Sequence, residues 1–328
     1  MKYGLLIYEE GRKIFNLGDY VQSLAAKQYL PRVDAYLSRE RLAEYAGDDI
    51  KLIMNGWFTH SMDDWIPSEK IDPLFVSFHM NALAAPFLLT AKAVSYLKKH
   101  EPIGCRDHFT VQILRDKGIE GYFTGCLTLT LDHYAVKDSE RGSDVCIVDP
   151  LYNYSRIDKL RVWVRKVLKG AAPHLSKPGG CLEEFIDRKF LDSARYATHA
   201  LPSFQYSEEE KFALAEDCLK KYARAKLVIT SRIHCALPCL ALGTPVMFVN
   251  GFGKFADTCR FDGLLNLFNR IDINAQGDLK ANFNLDGKIN ASTQVINPVQ
   301  YASLTHALKE RCRNFIVGAK ASSADLQA

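Results

Sequence analysis

The residues best placed to do chemistry interrupt an apolar stretch with a few polar side chains. Lys226-Leu227-Val228-Ile229-Thr230 reads as a buried strand, Ser231-Arg232-Ile233-His234 as the turn after it, and Cys235–Leu242 as an apolar helix closed by Gly243. A turn at a helix start faces free amide N–H groups and the positive end of the helix dipole, so it favours an anion. Arg232 adds a planar fork of donors that suits an oxyanion, and His234 adds a side chain that titrates near neutral pH. The plainer alternative is that His234 caps or packs the turn while Arg232 pairs with a core carboxylate.

A second loop repeats the pattern. Pro102-Ile103-Gly104-Cys105 is a short strand that delivers Arg106 to a helix start at Asp107-His108-Phe109-Thr110. Arg106 and Arg232 come from different halves of the chain, so both can face one cleft; the alternative for Arg106 is a surface ion pair near Asp107. In a third loop, Asn16-Leu17-Gly18-Asp19, the glycine permits a tight turn and Asp19 can cap the helix that follows. This is not the G-x-G-x-x-G fingerprint, which argues against a nicotinamide cofactor. His79, after an apolar strand at Leu74–Phe78, is a second histidine at a cleft-facing position.

Taken in order, these motifs resemble the polysaccharide pyruvyl transferase family. N-x-G-D starts at Asn16 and C-R-D at Cys105, with Thr110 and then Lys117-Gly118-Ile119 after it. Thr124-Gly125 forms the next turn, and S-R-x-H precedes Ala241-Leu242-Gly243-Thr244-Pro245-Val246-Met247. The family pattern departs at Met54-Asn55-Gly56-Trp57-Phe58, where many members are glycine-rich, and at Cys126-Leu127, where many have Asp-Pro. The resemblance implies two Rossmann-like domains facing across a cleft, similar to the glycosyltransferase-B architecture. It implies transfer of the enolpyruvyl unit of phosphoenolpyruvate onto a sugar hydroxyl pair as a cyclic ketal, in surface polysaccharide synthesis. Phosphoenolpyruvate carries a carboxylate and a phosphate, so two arginine clamps converging from different directions fit it. The candidate catalytic residues are therefore His234 and Asp19, and the candidate substrate-binding residues Arg106, Arg232, Asn16, Gly18, Asn55, His79 and Ser231. Asp107 shares with Asp19 the alternatives of base or helix cap. No metal and no cofactor beyond the donor is called for, and Cys235 with Cys239 on an apolar helix reads as packing rather than zinc.

The elements that must position these loops alternate between short strands and helices, the pattern of parallel sheets covered by helices. Strands are expected at Gly4–Tyr8, Lys51–Met54, Leu74–Phe78, Pro102–Cys105 and Gly121–Phe123, with helices at Asp19–Tyr29 and Phe109–Asp116. A charged break, Lys137–Ser143, places the boundary between an N-terminal domain over 1–140 and a C-terminal domain over 141–328. The second series has strands at Asp144–Asp149, Ala197–Leu201, Lys226–Thr230 and Pro245–Asn250. Its helices fall at Ile157–Leu168, Leu182–Phe190, Ser207–Tyr222 and Cys235–Leu242, and a last helix over Pro298–Phe315 packs back across the domains. Ser207 with Glu210 forms a capping box.

The chain has 328 residues, of which 48% are apolar and 24% charged, enough to bury a sizeable core. A net charge of +4 is too small to imply nucleic-acid binding. Nine cysteines, an odd number and several of them in apolar runs, point to reduced thiols and a cytoplasmic location. The N-terminus reads as a strand rather than a signal peptide, and no run is long enough to span a bilayer. Arg156–Lys169 is a basic amphipathic stretch with Trp163. Either it covers its own sheet, or it docks on the anionic inner face of the membrane, where a lipid-linked saccharide would be met. Two other functions fit the same architecture: a nucleotide-sugar glycosyltransferase, and a non-catalytic sugar- or phosphate-binding module. The first is disfavoured because Cys235–Leu242 has no acidic residue to hold a ribose, the second because Arg106, Arg232 and His234 are all present.

Overall fold

The computed structural model describes residues 1–8, 13–58, 65–152, 164, 182–251, 257–274, 278–285 and 287–318. The helix expected at Ile157–Leu168, and with it most of the basic stretch, lies outside them. The first part of the chain runs β1 (Lys2–Ile7), β2 (Ile14–Asn16), α1 (Leu17–Lys27), β3 (Ala35–Ser38), β4 (Ile50–Phe58) and β5 (Ile71–Met80). It continues through α2 (Ala85–Leu88), α3 (Ala91–Lys99), β6 (Ile103–Cys105), α4 (His108–Arg115) and β7 (Gly121–Phe123). Six of these strands form one sheet in the order β3-β1-β4-β5-β6-β7, parallel at every pairing. β5 is buried at every residue except Asp72, with Ser77 and His79 among the buried ones, as an interior strand of a parallel sheet covered by helices is.

The second part comprises β8 (Val145–Val148), α5 (Arg188–Ser193), β9 (Arg195–Ala197), β10 (Ala200–Pro202), α6 (Glu208–Arg224), β11 (Leu227–Thr230), α7 (Ile233–Ala241) and β12 (Val246–Asn250). β13 (Asn269–Ile273), β14 (Leu279–Ala281) and α8 (Ala302–Val317) complete it. Its sheet is ordered β14-β13-β12-β11-β8-β9, parallel except for the edge pair β13 and β14. The protein is thus a mixed α/β fold with two largely parallel sheets.

Several elements depart from the sequence reading for local reasons. α1 begins at Leu17 because Asn16, not Asp19, is its N-cap: Asn16 Oδ1 accepts from Gly18 N at 3.2 Å. Asp19 sits inside the first turn. The helix expected at Leu182–Phe190 is replaced by α5, whose start is set by Asp187 accepting from Lys189 N and Phe190 N. The strand expected at Ala197–Leu201 is split, because the chain leaves the second sheet at β9 and pairs in β10 with β2. The capping box at Ser207 and Glu210 forms as expected. α4 ends at a left-handed Gly118, φ 67°, with Ile119 N bonded back to Leu114 O.

One apolar core spans both sheets' helices. Phe15, Tyr20 and Val21 from the start of the chain pack with Phe212 and Leu219 of α6 and with Leu308 and Cys312 of α8. Tyr20 donates to Glu208 Oε2 at 2.7 Å, and β2 pairs antiparallel with β10. α8 lies against the first sheet: Arg311 donates to Pro102 O at 3.1 Å and Lys51 to Phe315 O. Because this core is shared, denaturation in urea should show one transition for both sheets. Phe212, in edge-to-face contact with Tyr20 at 5.1 Å and stacked on Tyr36 at 5.6 Å, is a test position. Phe212→Ala should cost about 3 kcal/mol without splitting the transition; two resolved transitions would show that the halves fold independently.

Candidate active site

The site is built from loops that follow parallel strands. After β11, Thr230 Oγ1 donates to Val148 O at 2.8 Å and accepts from Arg232 N, while Ser231 Oγ donates to Val249 O at 2.7 Å and accepts from Leu151 N. These bonds tie the ends of β8, β11 and β12 together, so Ser231 is a buried brace of the scaffold. Arg232 pairs through Nε with Asp149 Oδ2 at 2.8 Å, and its guanidinium lies 3.7 Å over the Tyr152 ring. Among the described residues only Nε of that guanidinium is engaged in a hydrogen bond, which leaves the terminal fork for a ligand. Asp149, at φ 44°, also accepts from His199 N. The pairing with a carboxylate is therefore real, but the partner comes from the neighbouring loop and aims the arginine.

From the first sheet, β6 delivers Arg106, whose amide donates to Phe78 O at 2.8 Å. Asp107 caps α4, accepting from Thr110 N at 2.9 Å and Thr110 Oγ1 at 2.8 Å, and its other oxygen lies 2.6 Å from His79 Nδ1. Arg106 is 1% exposed, which rules out a surface ion pair; its Nε has no hydrogen-bond partner and stands 3.8 Å from Asp107. Arg106 Nη1 lies 3.5 Å from His234 Nε2 in the first turn of α7, so the two loops singled out by sequence meet. Gly18 of α1 packs closely on the same histidine: a Cβ there would stand 3.1 Å from His234 Cβ.

Electrostatics follows from this burial. Desolvation and the neighbouring Arg106 charge push His79 down to about 4, with the Asp107 contact opposing them in part. Burial, then Arg106 and Arg260, hold His234 well below the usual imidazole range. Burial works to raise Asp107, but its bond to His79 and the Arg106 charge outweigh that and keep it ionised. Both imidazoles are thus neutral at pH 7. With Asp107 ionised, Nδ1 of His79 carries the proton and Nε2 keeps the free lone pair, so the carboxylate fixes the tautomer and the ring orientation.

The remaining expected residues lie to one side. Asp19 accepts from Gln22 Nε2 at 3.2 Å, and Asn55, 1% exposed, donates to Gln22 O at 2.9 Å with its own Oδ1 unpartnered. They line α1 and β4 and, among the described residues, make no hydrogen bond to Arg106 or His234. Sequence reasoning missed Asp149 and Tyr152, although the first ends and the second follows a strand that it had placed, and it missed Arg260, which lies in a segment without periodicity.

The sequence model of one family, Polysaccharide pyruvyl transferase, matches residues 16–251. The chain belongs to the polysaccharide pyruvyl transferase family. Membership makes it a transferase acting in polysaccharide synthesis, with a saccharide as acceptor. No curated protein matches it. A crystal structure of an uncharacterized protein from Klebsiella pneumoniae subsp. pneumoniae NTUH-K2044 is similar over 80% of this chain and 88% of that one, with 12% identity and a TM-score of 0.41. Among the described residues of the transferase, no helix is long and apolar enough to cross a membrane.

The depressed histidines set a pH dependence. Unfolding returns them to about 6.5, so the unfolded chain takes up more protons as pH falls below that value. Their neutral burial is tolerated without loss above about 6.5, and stability declines from there toward the value of about 4 at His79. Asp107, depressed in the fold, loses its contribution only at lower pH. Thermal melts at pH 7 and pH 5 should show a lower Tm at pH 5, with a smaller drop in His79→Gln. An equal drop in that variant would mean that His79 is not buried neutral.

Proposed function

We propose that the protein transfers the enolpyruvyl unit of phosphoenolpyruvate to two hydroxyls of a saccharide, forming a cyclic ketal and releasing phosphate. The observation that carries this reading is the meeting of Arg106 and His234, from different sheets, at 3.5 Å. In the same reading residues 1–140 and 141–328 are two Rossmann-like domains facing across a cleft, as in glycosyltransferase-B enzymes, with the donor in that cleft. No cofactor takes part, and phosphoenolpyruvate is a substrate.

The fork of Arg232 takes the donor carboxylate, and Arg106 the phosphate beside His234. An empty site keeps His234 neutral; a bound dianion reverses the local field and raises its proton affinity, so that the donor loads its own acid. The methylene carbon takes one proton, the first sugar hydroxyl attacks the adjacent carbon, and the C–O bond to phosphate breaks. The second hydroxyl closes the ketal. Of the two hydroxyl protons, one replaces that given to the methylene carbon and one leaves with phosphate. The same bound anion offsets the Arg106 charge that depresses His79, so His79, backed by Asp107, becomes the base for the acceptor. Asp107 is buried and engaged by Thr110 and His79, so it acts through the imidazole. Asp19, Asn55, Asn16 and Gly18 lie on the side proposed for the acceptor. The acceptor is proposed to be lipid-linked and the enzyme to work in the cytoplasm at the inner membrane face. Co-sedimentation with anionic liposomes at low salt tests that placement, and no binding would discard it.

The decisive assay is phosphate release from phosphoenolpyruvate that depends on a saccharide acceptor, with sugar nucleotides offered in parallel. Turnover with a sugar nucleotide alone would replace this reading with a glycosyltransferase, and binding without turnover with a sugar- or phosphate-binding module. Given turnover, His234→Gln should lower kcat by about 100-fold or more at an unchanged fold. Arg232→Lys should raise the donor KM by about tenfold or more, since an ammonium can neither offer a fork to the carboxylate while paired with Asp149 nor stack on Tyr152. Unchanged kinetics in either variant would remove that residue from the site.

A further inference from the structure

Arg260 lies beyond the segment that matches the family, in a short turn, Cys259–Phe261, anchored on both sheets. Asp257 accepts from Asn81 Nδ2 at 2.6 Å and from Ala82 N at 3.2 Å, which fastens this turn to the loop just after His79. Asp262 O accepts from His108 N at 3.2 Å, and Phe261 is buried against Phe248. Gly263, at φ 85°, packs so closely on His108 that a Cβ would stand 2.7 Å from its ring.

The turn holds the Arg260 side chain beside the groups already described. Nη2 donates to Tyr152 Oη at 2.5 Å, Nε is buried without a partner, and among the described residues no carboxylate pairs with it. Tyr152 therefore spaces two guanidiniums, Arg232 stacked 3.7 Å over its ring and Arg260 bonded to its hydroxyl. The Arg260 charge also reaches the opposite loops, where it lowers the proton affinity of His79 and His234. Asp149 is engaged by Arg232, and Asp107, 3.8 Å from Arg106 Nε, offsets only part of a site in which the Arg260 charge opposes that of Arg106. Such charge is costly in a part-buried site unless an anion joins it.

We propose that Arg260 is a third anion-binding guanidinium of this site, that with Arg106 it holds the donor's phosphate, and that Tyr152 positions it. The inference rests on the pyruvyl transfer reading and deepens it. The geometry divides the donor: a planar monoanion takes the single fork of Arg232, whereas a dianion with three terminal oxygens takes two guanidiniums from different loops.

The test is calorimetric titration of the full-length protein with inorganic phosphate and, separately, with pyruvate, alongside donor kinetics. Arg260→Gln should weaken phosphate binding by about 30-fold or more and leave pyruvate binding unchanged. Arg260→Lys should recover only part of the loss, and Tyr152→Phe should raise the donor KM with a smaller effect on kcat. Arg195→Gln, at an exposed arginine paired with Asp144, is the control and should match wild type. Thermal melts confirm that each variant folds. Phosphate affinity in Arg260→Gln within about twofold of wild type overturns the proposal. If wild type binds phosphate through Arg260 but never turns over phosphoenolpyruvate, the inference stands and the pyruvyl transfer reading falls. If wild type binds no phosphate, the inference falls, and the pyruvyl transfer reading stands or falls on turnover of phosphoenolpyruvate.

Discussion

A guanidinium held out of water beside a neutral imidazole is the constraint on which the rest of this structure turns. Arg106 is 1% exposed, and its nearest carboxylate, Asp107, stands 3.8 Å from Nε and is already bonded to His79. A guanidinium buried this deeply, with a carboxylate near but not hydrogen-bonded to it, depends on rigid surroundings to hold that geometry. The rigidity comes from far outside the site. The core shared by α1, α6 and α8 locks the two sheets, and hydroxyl braces at Thr230 and Ser231 lock the strand ends that carry the arginine and histidine loops.

The same field sets the roles of the titrating groups. Both His79 and His234 lose proton affinity to burial and to Arg106, yet they differ in what they face. His79 is oriented by a carboxylate through Nδ1, which leaves Nε2 with the free lone pair. His234 faces a cation through Nε2, so its proton affinity depends on whether an anion is present. Arg232 is aimed by Asp149 and by the Tyr152 ring, and its ion pair uses only Nε, so pairing and a terminal fork without a hydrogen bond among the described residues coexist.

Much of the architecture was legible from local pattern. The strand–turn–helix units around Arg106 and His234 were readable because apolar runs end abruptly at polar turns, and β7, β11 and β12 fall within a residue or so of expectation. Elements that gain their stability from a partner elsewhere were not: β2 exists through pairing with β10. α5 was misplaced because its start depends on the Asp187 side chain rather than on periodicity.

By itself, then, the sequence determined the α/β class, the family and the identity of the two basic loops, because each of these resides in short stretches whose spacing and polarity are self-contained. Only the tertiary structure decided which residues meet. It assigned Asp107 to His79, Asp149 to Arg232 and Tyr152 to Arg260, put Asn16 rather than Asp19 at the cap of α1, and turned Ser231 into a brace. It also decided the protonation of the histidines, since proton affinity depends on burial and on charges brought near from distant parts of the chain, which no local pattern encodes.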